Sequence, residues 1–294
     1  MSGSVVITVN PLPAPGVVTG GGNFCVGGPG VHIGLNPTQV GVSYQLWLGV
    51  GAVGLPVNGT GGSIDFGIAS SVGIYTVNAT NTVTGCTSTM SGVATISTNP
   101  LPFAFNVTGG GSYCAGGAGT PVGLDFSATG ITYQLYRGTS AVGTPVSGTG
   151  APISFGIQTT PGVYTVVGTN VSTACTGNMA GSVTISINPT PNLHLVTGGG
   201  NFCAGGDGRD VMLNGSDLGM DYQLFLGLTP LGVPMAGTGS LLDFGMQTVG
   251  GTYTVVAVNN VTGCSRFMSG GVPVNVNPLP DGFFVTGGGI YCAG

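Results

Sequence analysis

The segment Val107-Thr108-Gly109-Gly110-Gly111-Ser112-Tyr113-Cys114 is the most informative part of the chain, because nearly the same motif occurs at three other places. The step between copies is always 89 residues, as the cysteines at 25, 114, 203 and 292 show. Two further motifs, Tyr-Gln-Leu and Asn-Pro-x-Pro, recur at the same 89-residue spacing. A fixed period of this kind predicts a tandem array in which each copy is one structural unit.

The Asn-Pro-x-Pro motif lies where one repeat ends and the next begins. Two prolines at alternate positions favour an extended, stiff linker. We therefore predict three complete repeats and two partial ones, and interpret the chain as a segment of a longer array. The predicted bounds are 1–13 for the end of a preceding repeat, 14–102, 103–191 and 192–280 for the complete repeats, and 281–294 for the start of a following repeat.

The second repeat shows the strand pattern clearly. Gly162 to Val167 and Val183 to Ile187 are rich in β-branched residues, and in the second segment apolar residues alternate with Thr and Ser. Ile131 to Arg137 predicts another strand, and Pro145 predicts an edge position for the strand that follows it. Seven or so short strands with glycine turns every 8–12 residues are typical of a β-sandwich. We predict an all-β fold with tandem sandwich domains.

The glycine triplet is expected to lie outside the strands. Phe103 to Thr108 is predicted to form the first strand of the middle repeat, and the glycine-rich run through Cys114 to Gly119 a loop. The glycines are expected to provide positive φ or a close backbone approach at the domain junction.

The segment Gly162-Val163-Tyr164-Thr165-Val166 and its copies resemble the penultimate strand of bacterial immunoglobulin-like and PKD-like repeats. Cys114 before the second strand and Cys175 before the last are similar to the disulfide of such repeats in giant surface proteins of Bacteroidota, including gliding-motility adhesins. The resemblance implies immunoglobulin-like domains at a cell surface. Tyr75, Tyr164 and Tyr253 stand near the start of a predicted strand, and we expect them to lie in the core with their hydroxyls bonded to nearby backbone.

The seven cysteines fall at two positions of the repeat, 61 residues apart. This spacing predicts one disulfide inside each repeat and leaves Cys292 without a partner. Buried free thiols are the alternative; a zinc site is disfavoured because no Cys-x-x-Cys or paired histidine accompanies the cysteines. Disulfides indicate an oxidising compartment, so we expect an extracellular or cell-surface protein. The predicted pairs are Cys25–Cys86, Cys114–Cys175 and Cys203–Cys264.

Composition excludes several classes of function. Charged residues make up 4% of the chain, and there is neither Lys nor Glu. A nucleic-acid surface needs clustered Lys or Arg, so no nucleic-acid partner is expected. No apolar run is long enough to cross a membrane. With no repeated Ser, His and Asp set we predict no catalytic residue, cofactor or metal, and interpret Asp207, Asp210, Asp217 and Asp221 as solvated loop residues rather than a calcium site.

Each complete repeat has an aromatic residue at one strand position that is predicted to face outward. Tyr133 and Leu135 should face inward, which turns the residue after Leu135 outward. Such residues could pack against a neighbouring chain, stack on sugar rings, or be covered by a loop of their own domain. The candidate lateral-contact residues are Trp47, Tyr136 and Phe225.

These observations predict a structural protein and not an enzyme. A surface with so few charges repels its own copies poorly, which favours self-association. The chain is expected to be part of an extracellular filament or fibre whose repeats pack along and across chains. The alternative is the stalk of a cell-surface adhesin that displays a binding domain elsewhere, with glycan or cell-surface contacts.

Overall fold

The computed structural model describes residues 4–294, so the first three residues of the predicted 1–13 segment lie outside it. The described chain is all-β, with nine strands in each complete repeat and no helix. The strands of the first repeat are β1 (Val17–Gly20), β2 (Gly22–Cys25), β3 (Val31–Asn36), β4 (Val42–Leu48), β5 (Gly51–Asn58), β6 (Ile64–Ala69), β7 (Gly73–Asn81), β8 (Thr87–Thr89) and β9 (Ala94–Asn99).

The other two repeats contain the same strands in the same order. Those of the middle repeat are β10 (Val107–Gly109), β11 (Gly111–Cys114), β12 (Thr120–Leu124), β13 (Ile131–Arg137), β14 (Ser140–Ser147), β15 (Ile153–Gln158), β16 (Gly162–Asn170), β17 (Thr176–Asn178) and β18 (Val183–Asn188). Those of the third are β19 (Val196–Gly198), β20 (Gly200–Cys203), β21 (Arg209–Leu213), β22 (Met220–Leu226), β23 (Thr229–Ala236), β24 (Leu242–Gln247), β25 (Gly251–Asn259), β26 (Ser265–Phe267) and β27 (Val272–Asn277).

The chain divides into two compact units, each of which contains one complete terminal repeat. The first unit comprises the residues up to 109 together with 121–156 and 163–183. The second comprises 110–120, 157–162 and 184–294. The limits of the repeats, 14–102, 103–191 and 192–280, stay a prediction.

The first repeat is a two-layer sandwich with immunoglobulin-like strand pairing. One sheet has the order β1-β3-β6, and the other has the order β2-β9-β7-β4-β5 with β8 added to β7. All pairs are antiparallel except β2 with β9. The third repeat has the same two sheets, β19-β21-β24 and β20-β27-β25-β22-β23, with β26 on β25.

The glycine triplet is the point where the chain leaves one sheet and enters the other. β1 ends at Gly20 and β2 begins at Gly22, so the change of sheet occupies the single residue Gly21. All three glycines have positive φ, which other residues adopt at a cost. A Cβ on Gly21 would also lie 2.8 Å from the carbonyl oxygen of Thr95. The expected need for positive φ and close backbone approach is therefore confirmed, at a sheet crossover.

The Tyr-Gln-Leu motif contributes two residues to the core and lies at a β-bulge. Tyr44 and Leu46 are buried, and the register of β4 against β5 shifts between them. The Gln45 side-chain amide donates to the carbonyl oxygens of Leu46 (2.8 Å) and Val53 (3.0 Å), which the bulge leaves accessible. The equivalent glutamines of the other two repeats make the same two bonds.

The core tyrosines are placed as predicted. Tyr75 and Tyr253 are both 1% exposed, and their hydroxyls donate to the carbonyl oxygens of Ser71 and Val249 at 2.8 Å. Tyr164 is also buried. Packed around these rings are the inward-facing aliphatic residues of both sheets, which in the first repeat include Ile33, Leu35, Leu46, Val77, Ala79 and Ile96.

Most predicted strands of the middle repeat are present. The bounds of β13 equal the predicted Ile131 to Arg137, and the strand carrying Pro145 lies at the edge of its sheet. Two predictions were wrong. The segment after the glycine triplet is the strand β11 rather than a loop, because Gly111 to Cys114 pairs in parallel with β18. The predicted first strand from Phe103 contracts to β10, which begins at Val107.

Candidate functional site

The junction between consecutive repeats is closed by a disulfide. Cys25 is bonded to Cys175 and Cys114 to Cys264, each with a Cα–Cα distance of 5.5 Å. Both bonds join residues 150 positions apart, which is one 89-residue period plus the 61 residues that separate the two cysteines of a repeat. The first bond lies within the first compact unit and the second within the other. The bonds therefore connect neighbouring repeats.

This pairing corrects the predicted disulfides inside the repeats, Cys25–Cys86, Cys114–Cys175 and Cys203–Cys264. Cys25 is aligned with Asn99 at the end of β9, beyond the beginning of the antiparallel β7. Cys86 follows the other end of β7, where the amide of Asn81 donates to its carbonyl oxygen at 2.9 Å. The nine residues of β7 span roughly 27 Å. A disulfide requires Cα atoms within about 7 Å, so the two cysteines of one repeat cannot meet.

A six-residue turn presents the second cysteine of each bridge. In the middle repeat the Asn170 side-chain oxygen accepts from the amides of Ser172 (2.9 Å) and Thr173 (3.1 Å), and the Asn170 amide donates to the Cys175 carbonyl (2.9 Å). The first and third repeats make the same bonds from Asn81 and Asn259. The turn includes Ala174 at φ 57°, where the other repeats have glycine.

The proline linker runs between the bridged cysteines. The amide of Val26, next to Cys25, donates to the carbonyl of Asn99 at 3.0 Å, so the bridge begins at the first residue of the linker. At the other end of the linker, a Cβ on Gly177 would lie 3.3 Å from the Pro102 carbonyl oxygen, so the linker passes close to β17. In the third repeat the equivalent contact is a hydrogen bond, in which Arg266 Nη1 donates to the Pro191 carbonyl at 3.3 Å.

Bridging determines how exposed the cysteines are. Cys175 and Cys264 are fully buried, whereas Cys86, which occupies the same position in the first repeat, is half-buried and free. Cys203 and Cys292 are free and exposed. Cys292 was expected to be unpaired. Cys203 was expected to bond Cys264, but that residue is already bonded to Cys114.

The candidate lateral-contact residues share one structural position. Trp47, Tyr136 and Phe225 are all half-buried, on the face of the large sheet opposite the buried tyrosine and leucine of the same strand. Trp47 lies between Ala52 and Thr76 on the adjacent strands, so small side chains flank the ring. Its indole Nε1–H is buried without a hydrogen-bond partner among the described residues.

The titratable residues do not gather into a site. Among residues 4–294 no three His, Cys, Asp or Glu side chains are close enough to hold a metal ion. His194 Nε2 lies 3.3 Å from Asp217 Oδ2, and the two form an ion pair when the histidine is protonated, although the angle does not suit a hydrogen bond. His32 and Asp65 form a second, exposed pair at 2.7 Å. A hydrogen bond from the Gly67 amide, followed by the contact with His32, lowers the pKa of Asp65.

No protein-family model matches the chain, and no curated protein matches it. Its likeness to solved structures is to strings of sandwich domains. The three N-terminal domains of the bacteriophage RB49 Highly Immunogenic Outer Capsid protein are 14% identical, with a TM-score of 0.30, over 90% of this chain and 99% of that one. The FN1–FN3 domains of chicken CNTN1 are 12% identical, with a TM-score of 0.31, over 90% and 100%.

A third likeness is to the Ig1–Ig3 ectodomain of mouse nectin-like molecule 4, which is 12% identical, with a TM-score of 0.32, over 89% of this chain and 99% of that one. Likenesses of this size carry no argument about function. The immunoglobulin-like fold rests on the strand pairing of the repeats. In the described part of the chain no helix has the length and apolar character of a membrane span.

Proposed function

We propose that this chain is a structural segment of an extracellular filament or fibre, in which immunoglobulin-like repeats are joined covalently across the linkers at 99–102 and 188–191. The observation that carries the proposal is the register of the two disulfides, each of which connects one repeat to the next and encloses the linker between them. A disulfide inside a domain stabilises that domain alone. A disulfide across a linker fixes the connection between domains, which is what an array under tension requires.

The surroundings of the bridges support the same function. Such disulfides form and persist outside the reducing cytosol, so we place the protein in the extracellular space or at a cell surface. The low charge of the chain, with 3 basic and 8 acidic residues, leaves little electrostatic repulsion between copies. Self-association through the faces that carry Trp47, Tyr136 and Phe225 would make a bundle.

Cleavage of the linkers tests whether the disulfides hold the array together. The chain contains no lysine, so Phe103→Lys and Asn192→Lys create two unique sites for a lysine-specific protease. Both positions are exposed and follow the linker prolines. After cleavage, a denaturing gel without reductant should show one species of full size, and a reducing gel should show three fragments. Three fragments on both gels would contradict the covalent connection.

A matched variant makes the result specific. In the Cys25→Ser/Cys175→Ser background the first linker is no longer enclosed by a bridge. Cleavage should then release the N-terminal fragment without reductant, while the other two fragments stay joined through Cys114 and Cys264. Release of a different fragment would show that the cysteines pair in another register.

Electron cryomicroscopy of the native material distinguishes a fibre from an adhesin stalk. A stalk is the second candidate, favoured by the outward ring of Trp47, which could stack on a sugar. Contacts between neighbouring chains would support the fibre. A thread one domain wide, together with glycan binding that is lost in Trp47→Ala, would support the stalk and overturn lateral assembly.

A further inference from the structure

We propose that Asn214 is a self-modification site, at which the folded third repeat converts the asparagine side chain into a carboxylate. The chain contains two Asn-Gly pairs, Asn58-Gly59 and Asn214-Gly215. In such a pair the backbone nitrogen of the glycine can reach the side-chain carbonyl carbon of the asparagine, because glycine has no Cβ to obstruct the approach. The surroundings of the two pairs differ, and those of the second pair promote the reaction.

The amide of Gly215 is available as the nucleophile. It follows the end of β21 and donates no hydrogen bond within residues 4–294. The amide of Gly59, in contrast, donates to the Val42 carbonyl oxygen at 2.8 Å. The other two repeats lack an equivalent pair, because Asn36 precedes a proline, which has no amide proton, and Asp125 is already a carboxylate.

The Asn214 side chain is held and polarised by Leu195. The amide of Leu195 donates to Asn214 Oδ1 at 2.8 Å, and the Leu195 carbonyl oxygen accepts from the Asn214 amide at 3.0 Å. A backbone donor at a carbonyl oxygen stabilises the negative charge that this oxygen gains when a nucleophile attacks the carbon. The two bonds therefore fix the electrophile and provide its oxyanion donor.

His194 supplies a base next to the nucleophile. A Cβ on Gly215 would lie 2.8 Å from His194 Nδ1, so the imidazole lies directly against this glycine. On the other side of the ring, Nε2 lies 3.3 Å from Asp217 Oδ2, and both of these atoms are buried. The Asp217 charge favours the tautomer that carries its proton on Nε2, which leaves Nδ1 as the base. The ring also packs against Tyr222, with a centroid distance of 6.3 Å.

The reaction needs water as its one further reactant. The Gly215 nitrogen attacks Asn214 Cγ while His194 Nδ1 takes the amide proton, which gives a cyclic tetrahedral intermediate. The imidazolium returns the proton to the side-chain nitrogen, the bond between that nitrogen and Cγ breaks, and ammonia leaves a succinimide. Water then opens the ring to aspartate or isoaspartate. One amide and one water become one carboxylic acid and one ammonia, with no oxidation or reduction.

The middle repeat shows that the fold accepts an aspartate at this position. Asp125 is the repeat equivalent of Asn214, and its Oδ1 accepts from the Asn106 amide at 2.9 Å, as Asn214 Oδ1 accepts from Leu195. Aspartate formed at position 214 can therefore keep this hydrogen bond. It adds one negative charge to a chain whose formal net charge is −5.

Peptide mapping by mass spectrometry tests the proposal on the full chain, incubated in neutral buffer. The modification changes a peptide's mass by the difference between OH and NH2, so one sample reports conversion at both Asn214 and Asn58. Asn214 should convert about 100-fold faster than Asn58, the lower end of what general acid–base catalysis contributes. Unfolding the chain in urea separates the catalytic groups and should bring the two rates together.

Two variants that copy the middle repeat identify the groups responsible. His194→Phe introduces the residue that the middle repeat has at 105, and Asp217→Ala introduces the residue that it has at 128, so both variants should fold. Circular dichroism checks that they do. His194→Phe should slow conversion at Asn214 by about 100-fold, and Asp217→Ala should slow it less. The rate at Asn58 should be the same in all three proteins.

Two outcomes would overturn the proposal. Conversion at Asn214 that is no faster in the folded chain than in urea would mean that the fold does not promote the reaction. Conversion that is unchanged in folded His194→Phe would mean that the imidazole is not the base. The inference does not rest on the proposed function, and neither outcome affects the linker-cleavage test, which does not involve Asn214 or His194.

Discussion

Cys25 is bonded to Cys175 and not to Cys86, which lies at the far end of β7 in the same sandwich. This relationship makes a thermodynamic prediction that separates the two pairings. Cys25→Ser and Cys175→Ser should each lower the free energy of unfolding by about 2–5 kcal/mol, since each opens the same 150-residue loop. The double variant should lose no more than either single one.

Cys86→Ser is the control for that series. It removes a free thiol, so we expect a change of less than about 0.5 kcal/mol in denaturant unfolding. Equal decreases in the free energy of unfolding for Cys25→Ser and Cys86→Ser would instead support a Cys25–Cys86 disulfide inside the repeat.

Ala174 is held at φ 57°, next to the bridged Cys175, where the other repeats have Gly85 and Gly263 at 69° and 70°. A residue with a Cβ costs about 1–2 kcal/mol in this conformation, although glycine gains freedom in the unfolded chain. Ala174→Gly should therefore raise the free energy of unfolding by about 0.5–1 kcal/mol.

The matched control for this substitution is Ala141→Gly in β14, an exposed strand position where alanine has no positive φ. It should lower stability by about 0.5–1 kcal/mol. If both substitutions lower stability, the turn does not impose strain on Ala174.

The indole Nε1–H of Trp47 is buried without a partner, while the third repeat has Phe225 at the same position. A buried donor that makes no hydrogen bond is a cost, so Trp47→Phe should leave the stability of the isolated chain within about 1 kcal/mol of its original value or raise it. Trp47→Ala should lower it by about 1–3 kcal/mol, because it also removes half-buried apolar surface.

Lateral packing gives a different result for the same pair of variants. If a neighbouring chain packs on the exposed part of the Trp47 ring, Trp47→Ala should weaken filament assembly in light scattering, whereas Trp47→Phe, which keeps an aromatic ring, should weaken it less. Assembly that is indifferent to both Trp47→Phe and Trp47→Ala would exclude this face as the contact.

Burial raises the pKa of the Tyr222 and Tyr253 hydroxyls. At Tyr222 the Asp217 amide, which donates to the hydroxyl oxygen, acts in the opposite direction. The folded state therefore holds these protons more tightly than the unfolded state does. Their contribution to stability is complete below the ordinary tyrosine pKa of about 10 and is lost as the pH rises through the folded pKa.

An alkaline titration checks this expectation. Part of the phenolate absorbance should appear only above about pH 10, together with the loss of near-ultraviolet circular dichroism. Tyr253→Phe should reduce the amplitude of that late phase. A titration that is complete before the circular dichroism changes would contradict it.

The sequence alone predicted the array, the all-β class and the inward orientation of Tyr133 and Leu135, because periodicity and alternation are local properties that one repeat contains in full. It could not predict which cysteines pair. Cys86 and Cys175 are 89 residues apart and so occupy the same position in consecutive repeats. The spacing of the cysteines therefore does not show which of the two is the partner of Cys25. The distinction depends on where β7 begins and ends, which is a matter of register.

The strand β11 was missed for a related reason. Gly111 to Cys114 has neither alternation nor β-branched residues, and it becomes a strand only because β18 offers it a parallel edge. The outward placement of Trp47, Tyr136 and Phe225 did follow from alternation. What covers these rings in an assembly is set by other molecules, and their role as lateral contacts stays a proposal.

The interleaving of the two disulfides sets how far the chain can be drawn out. Along the backbone, Cys25 and Cys264 are 239 residues apart, a contour of roughly 840 Å when fully extended. Through the sulfur atoms the shortest route runs from Cys175 back to Cys114, which is 61 residues, or roughly 210 Å. Tension applied at the two ends would therefore pass through the middle repeat from residue 175 back to residue 114. About three quarters of the contour length between Cys25 and Cys264 could not be extended while both disulfides are intact.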